Sequence, residues 1–218
     1  MQSSIIAIIL AAATGTIAAP ANIHARCDPA PAPGTVPPPA PGSATPPKAP
    51  TTPATANYIL PNAMAVHNVN NNANKPSTQI LTTKKGNTET STLVSFQVPS
   101  TATGTCKTHI NVGALGGADK IGGSQTVRIF RTLLTNIPAT PTGNQRNIEL
   151  GQLRFDAAAK GFAFEKGSVQ PTIQTFPCPA GKTIQWEIVA VGDSDEIIVG
   201  QDFTSSGAGV PNGIYIEY

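Results

Sequence analysis

A cysteine stands between two prolines in Phe176-Pro177-Cys178-Pro179-Ala180-Gly181-Lys182-Thr183-Ile184-Gln185-Trp186-Glu187-Ile188, just ahead of a run of alternating character. In that setting a thiol can be a metal ligand, a nucleophile or half of a disulfide. Two other cysteines accompany it, Cys27 and Cys106. Cys106-Lys107-Thr108-His109 puts a thiol three residues from an imidazole, the pair that a zinc site or a thiolate nucleophile would use. On an extended strand, residues three apart point to opposite faces, so the two side chains diverge. Zinc would also need a third ligand, and His24 and His67 fall in the leader and in a polar loop. The default for Cys106 and Cys178 in an exported chain is therefore a disulfide with each other. It would close a loop of about 70 residues and contribute roughly 4 kcal/mol by restricting the unfolded chain. Cys27 is left over, to be free or paired elsewhere.

Three other groups could do chemistry. Asp193, Asp195 and Glu196 gather carboxylates between two strands, the oxygen-rich setting that Ca²⁺ asks for. Their spacing matches no complete loop motif, and a solvated turn is the preferred reading. Gly113-Ala114-Leu115-Gly116-Gly117-Ala118 is glycine-rich but lacks the Gly-Lys-Ser/Thr ending of a phosphate loop, so it reads as a connection. The acids Glu149, Asp156, Glu165, Glu187 and Asp202 are dispersed, and a glycosidase needs two of them at a set separation that sequence does not fix. No catalytic residue, metal or cofactor is assigned, and the expectation is a protein that is not an enzyme.

These residues would be positioned by strands. Val94, Phe96 and Val98 alternate with Ser95 and Gln97, and Cys106, Thr108, Ile110 and Val112 follow the same period. Ile184, Trp186, Ile188 and Ala190 take one side of their stretch; Thr183, Gln185 and Glu187 take the other. Period two marks a strand with one face buried. Trp186 is thereby expected in the core rather than stacked on a ligand. Further strands are expected over 126–134, 148–155, 162–165, 169–176, 196–199 and 213–217, with Gly, Pro and Asn between them. Asp156 to Lys160 could form a single turn, and Asn68 to Lys75 reads as a polar loop. Many short strands joined by turns predict an all-β, antiparallel sandwich over 58–218, with jelly-roll and immunoglobulin-like orders both open.

The rest of the chain speaks to address. Ile5 to Ala13 is apolar, and Thr16-Ile17-Ala18 offers small residues for cleavage, so 1–18 reads as a secretory signal. The apolar run is well short of the roughly 20 residues that span a bilayer. No hydrophobic tail follows a small-residue site at the C-terminus, so a glycolipid anchor is not expected. Residues 19–57 are dominated by Pro, Ala and Thr, with no apolar face to bury, and are expected to form a disordered stalk. Fully extended, such a stalk reaches on the order of 100 Å. A formal charge of +2 with scattered Lys and Arg gives no basic patch for nucleic acid.

Three segments together resemble the fungal ubiquitin 3 binding protein C-terminal domain family: Phe176 to Ile188; Leu93-Val94-Ser95-Phe96-Gln97-Val98-Pro99 with Gly104-Thr105-Cys106; and Gly200-Gln201-Asp202-Phe203 with Gly213-Ile214-Tyr215-Ile216. The similarity runs in order over about Tyr58 to Tyr218. Thr204 to Asn212 is longer than the corresponding stretch of the family. The resemblance implies a β-rich, commonly secreted fungal domain with Cys106 and Cys178 paired, and it implies no catalytic residues. The family name refers to an intracellular partner of an enzyme that activates a ubiquitin-like modifier, a role at odds with a signal peptide. The functional expectation is a non-catalytic secreted protein of the cell wall or extracellular matrix, with wall polysaccharide or protein as partner. The alternative is a secreted binding module or effector recognising a glycan or a host protein.

Overall fold

A computed structural model describes residues 57–113, 118–167, 169–203 and 209–218. The signal segment 1–18, the stalk up to residue 56, Cys27, the centre of the glycine-rich stretch and residues 204–208 lie outside the described residues. Fourteen strands make up almost all regular structure: β1 (Tyr58–Ile59), β2 (Ala63–Asn68), β3 (Ala73–Pro76), β4 (Gln79–Lys85), β5 (Thr88–Gln97), β6 (Thr105–Asn111), β7 (Lys120–Gly122), β8 (Thr126–Thr132), β9 (Arg146–Asp156), β10 (Gly161–Glu165), β11 (Phe176–Pro177), β12 (Thr183–Ala190), β13 (Ser194–Gly200) and β14 (Gly213–Glu217). One 3₁₀ turn, Ile137–Ala139, completes the set, and the described residues contain no α-helix. The all-β, antiparallel expectation holds.

The strands form one continuous ladder in the order β1-β14-β6-β10-β9-β8-β12-β5-β4-β13-β7, with β11 beside β6, and with β2 on β5 and β3 on β2. Two joints in this path are thin. β10 meets β6 through the single pair Gly161↔Asn111. β4 meets β5 only from Thr83↔Thr90 to Lys85↔Thr88. Around these joints the ladder folds back, and one core is shared along its whole length. It contains Val94, Phe96, Ile129, Leu153, Trp186 and Ile188 from the central strands, Ile110, Ile214 and Ile216 from β6 and β14, and Ile80, Ile197 and Val199 from β4 and β13. The sandwich is thus a single open sheet folded over one core, rather than two separate sheets.

Side chains stand in for the ladder where it bends. As β4 leaves β5, the Leu81 N–H donates to Thr92 Oγ1 at 2.8 Å, and that hydroxyl donates to the Leu81 carbonyl at 3.0 Å. Thr90 Oγ1 accepts from the Thr83 N–H at 3.1 Å. At the opposite closure, Gln201 behaves like a residue of a neighbouring strand. Its Oε1 accepts from the Ile214 N–H at 2.8 Å and its Nε2 donates to the Ile214 carbonyl at 3.1 Å. Asn212 Nδ2 donates to the Gly200 carbonyl at 2.9 Å, and Asp119 accepts from the Gly200 and Gly113 N–H groups. Each of these gives a part-buried backbone group the partner that the bent ladder does not supply.

Several expectations change. The stretch 169–176 is not a strand except at Phe176. Pro171 interrupts it, Thr172 bonds to the Leu150 carbonyl, and Ile173 turns into the core. His67 belongs to β2 and is buried, and Lys75 belongs to β3, so 68–75 is a hairpin rather than a plain loop. Asp156 to Lys160 is the β9–β10 turn, where Asp156 Oδ1 accepts from the Ala158 and Ala159 N–H groups. Trp186 is in the core as expected, 3% exposed, with edge contacts to Phe96 and Phe176 at ring separations of 5.2 and 6.3 Å.

Gly213 has φ +81°, and a Cβ there would run into Gln201 and the Gly200 carbonyl. Gly213→Ala is expected to destabilise the domain by about 2 kcal/mol through both effects. Denaturant unfolding that shows no change would contradict the role of Gln201 in closing the sheet.

Candidate functional site

The prolines around Cys178 set the local chain path. β11 lies against β6 with Phe176↔Cys106 and Pro177↔Thr105, at a place where an absent proline amide breaks no central ladder. The Cys178 N–H donates to the Gly104 carbonyl at 3.1 Å, and Gly181, at φ +71°, turns the chain into β12. Cys106 and Cys178 are disulfide-bonded, with Cα atoms 5.0 Å apart. The cysteine pair is therefore a cross-link between β6 and the entry to β12. His109 does not join it. Its ring stacks on Tyr215 at 5.0 Å, and its Nε2 lies 3.0 Å from Glu217 Oε2. Burial, first of all, pushes the Tyr215 phenol up to about 12.

Beside this staple opens a groove of about 590 Å³, lined among others by Arg131, Leu134, Ile173, Phe176, Gln185 and Trp186. A second groove, of about 600 Å³, lies between the start of β2 and the 3₁₀ turn, with Met64, Pro76, Ile137, Pro141 and Phe203 on its walls.

The densest polar cluster involves the side of β12 expected to face solvent. Glu187 is 0% exposed. Next to it, on the same outer side of the central strands, Ala65, Leu93, Leu134 and Ile137 make a small second core beneath residues 133–145. Glu187 Oε1 accepts from Ser91 Oγ at 2.6 Å, Asn144 Nδ2 at 2.9 Å and Arg146 Nη2 at 2.8 Å; Oε2 accepts from Arg146 Nε at 3.0 Å. The Arg146 guanidinium also lies 5.1 Å from the centre of the Phe130 ring. Burial alone would raise the Glu187 pKa. Arg146, Ser91 and Asn144 more than offset it and hold the carboxyl below the usual range. The bond to Glu187 raises Arg146 in turn.

His67 pairs with Ser91 in the β2–β5 register, so histidine, serine and a carboxylate meet at one place. Their hydrogen bonds do not form a nucleophile relay. The serine proton is donated to the carboxylate, and His67 Nδ1 is 2.7 Å from Asn74 Oδ1. A carboxylate with a lowered pKa, in a bidentate bond to arginine, is suited to holding structure and poorly suited to acid catalysis. No local signal marks this cluster in the sequence. Arg146, the first residue of β9, and Asn144, just before it, lie 41 or more residues from Glu187, and only the apolar Ile188-Val189-Ala190 after the acid hints that both faces of β12 are covered.

The remaining acids lie apart. Asp193 is 94% exposed at the side chain, 3.3 Å from Lys84 Nζ, and Glu196 Oε2 lies 2.9 Å from Lys85 Nζ, a bond that lowers its pKa. Asp195 is buried, which corrects the solvated-turn reading for that residue. It accepts from the Ser124 amide and hydroxyl and from the Gly192 N–H, tying the turn before β13 to the turn before β8. Asp202 caps Asn212 N–H, Glu165 accepts from Gln152, and Glu149 lies 3.9 Å from Arg128 Nε. Among the described residues, no group of three or more His, Cys, Asp or Glu side chains is arranged to hold a metal ion. No described helix is long and apolar enough to cross a membrane. No protein-family model matches the chain, and no curated protein matches it significantly.

Arg146→Met strands the buried Glu187 charge and is expected to cost about 3 kcal/mol, while adding Glu187→Leu should recover about 1–2 kcal/mol by removing that charge. Denaturant unfolding of the two variants checks the order. Because the folded Glu187 pKa is lowered, its contribution is complete above the unfolded carboxyl value of about 4.3 and is lost as pH falls through the folded value. The acid limb of the stability curve should therefore flatten in the double variant.

Proposed function

We propose that the chain is a secreted, non-catalytic fungal protein of the cell wall or extracellular matrix, whose β domain is displayed on a Pro/Ala/Thr-rich stalk. The observation that carries this reading is the Cys106–Cys178 disulfide. A structural disulfide persists in oxidising compartments and is rare where thiols are kept reduced. The leader-like residues 1–18 and the composition of 19–57 agree with export and display. Glu187 supports the non-catalytic part, since its arginine and two neutral donors suit a structural carboxylate. Membership of the ubiquitin 3 binding protein C-terminal domain family belongs to the same proposal. In its favour, Gly104 to Cys106 and Phe176 to Cys178, taken from two of the segments that carry the resemblance, lie together at the disulfide.

A second reading, a secreted module that binds a glycan or a host protein, is favoured by the two grooves beside the 3₁₀ turn and the disulfide. Fractionation of cultures expressing the full chain separates the two. Retention in the wall with release by glucanase is the expected result. Protein free in the medium that binds host tissue would favour the second reading, and reduced protein in the cytosol would overturn both. Cys178→Ser is expected to lower stability by about 4 kcal/mol and to cut the secreted yield. Unchanged melting of that variant would remove the staple from the account.

A further inference from the structure

The β12–β8 ladder runs from Ala190↔Val127 to Trp186↔Arg131 and stops there. β5 continues beside β12 as far as Thr183. Among the described residues, Thr183 to Gln185 thus have a strand on one edge only. The register shows which groups remain. Val191 N–H donates to the Thr126 carbonyl, so along this edge the odd-numbered residues of β12 direct their N–H and C=O toward β8. The last rung takes the Gln185 carbonyl, and beyond it the Gln185 N–H and both backbone groups of Thr183 face outward along the edge.

β8 turns away at this point. The Leu133 N–H goes to the Gln145 carbonyl, the Leu134 N–H goes to Thr132 Oγ1, and the Leu134 side chain enters the second core. The space beside the exposed edge is the groove of about 590 Å³ next to the disulfide. An open strand edge along an apolar groove is the arrangement that β-strand addition uses.

Two features specify the occupant. Arg131 is the single charged residue among the described residues lining the groove, so the complementary charge is a carboxylate. The larger part of the lining is apolar, with threonine hydroxyls among it, and nearby in the chain Leu133 and Ile148 are 53% and 52% exposed. Ile148 flanks Arg131 in the irregular part of the β8–β9 ladder between Phe130↔Glu149 and Thr132↔Arg146. Trp186, at 3% exposure, offers no free ring face to a sugar.

We propose that this groove takes an extended, acidic polypeptide segment of a partner protein as an added strand against Thr183–Gln185, with an apolar side chain in the groove and an aspartate or glutamate at Arg131. This goes beyond the secretory reading and does not depend on it.

The test is fluorescence anisotropy of the full, disulfide-bonded chain with a labelled hexapeptide of alternating valine and glutamate. Its valine–lysine counterpart, and two forms of the glutamate peptide N-methylated on either alternating set of amides, serve as comparisons. The glutamate peptide should bind, the lysine peptide should bind about tenfold more weakly or worse, and one N-methylated form should lose binding. Arg131→Glu, an exposed change that should leave the melting temperature in place, should reverse the charge preference. Equal binding of the two charges, indifference to both methylation patterns, absence of peptide binding up to about 1 mM, or displacement of the peptide by a β-glucan hexasaccharide would each overturn the proposal.

Discussion

The Cys106–Cys178 bond joins two parts of the sheet that the ladder connects only by a long route. Cys106 is on β6, which meets the central strands through one residue pair with β10; Cys178 leads into β12, in the middle of the sheet. Tying them 72 residues apart in sequence fixes the distance between the two walls of the core at the point where Phe176 and Trp186 pack. Loop closure of that size is worth about 4 kcal/mol against the unfolded chain, a large share of the 5–15 kcal/mol that a domain typically holds. Pro177, Pro179 and Gly181 make the path between staple and strand reproducible, because they restrict the chain before it turns into β12. The groove beside the disulfide exists because β12 extends past the end of β8 while the stapled segment covers only part of the gap.

Polar groups do the rest of the shaping, and they act mostly on backbone. Thr90 and Thr92 at one bend, Gln201 and Asn212 at the other closure, and Asp195 between two turns each satisfy main-chain groups that a bent sheet cannot pair. Glu187 and Arg146 are the exception, a charge pair across the outer side of the central strands. Such a pair adds little net stability over an apolar replacement but makes removal of either partner alone costly. It therefore specifies where residues 144–146 sit, next to Ser91, more than it strengthens the domain.

What the sequence makes legible follows the periodicity. Strands with one polar face, such as Cys106 to Asn111, are visible, and so are the antiparallel class, the core place of Trp186 and the cysteine pair. β2 escapes because Met64, Ala65 and His67 are buried on both faces and show no alternation. β4 escapes because Thr82 does the work of an apolar residue, buried with its hydroxyl bonded to the Thr90 carbonyl. The cover over Glu187 comes from Asn144 and from Arg146 at the start of β9, far away in sequence, so the acid's alternation with Trp186 and Ile188 points the wrong way. The groove depends on where β8 departs from β12, a matter of pairing partners that no local run of residues encodes.

Peptide mapping of the native, unreduced protein recovered from its own cells tests the central claim most directly. The account requires a single cross-linked species that joins the Cys106 peptide to the Cys178 peptide and disappears on reduction. Recovery of both cysteines as free thiols, or of either one joined to Cys27 instead, would contradict it.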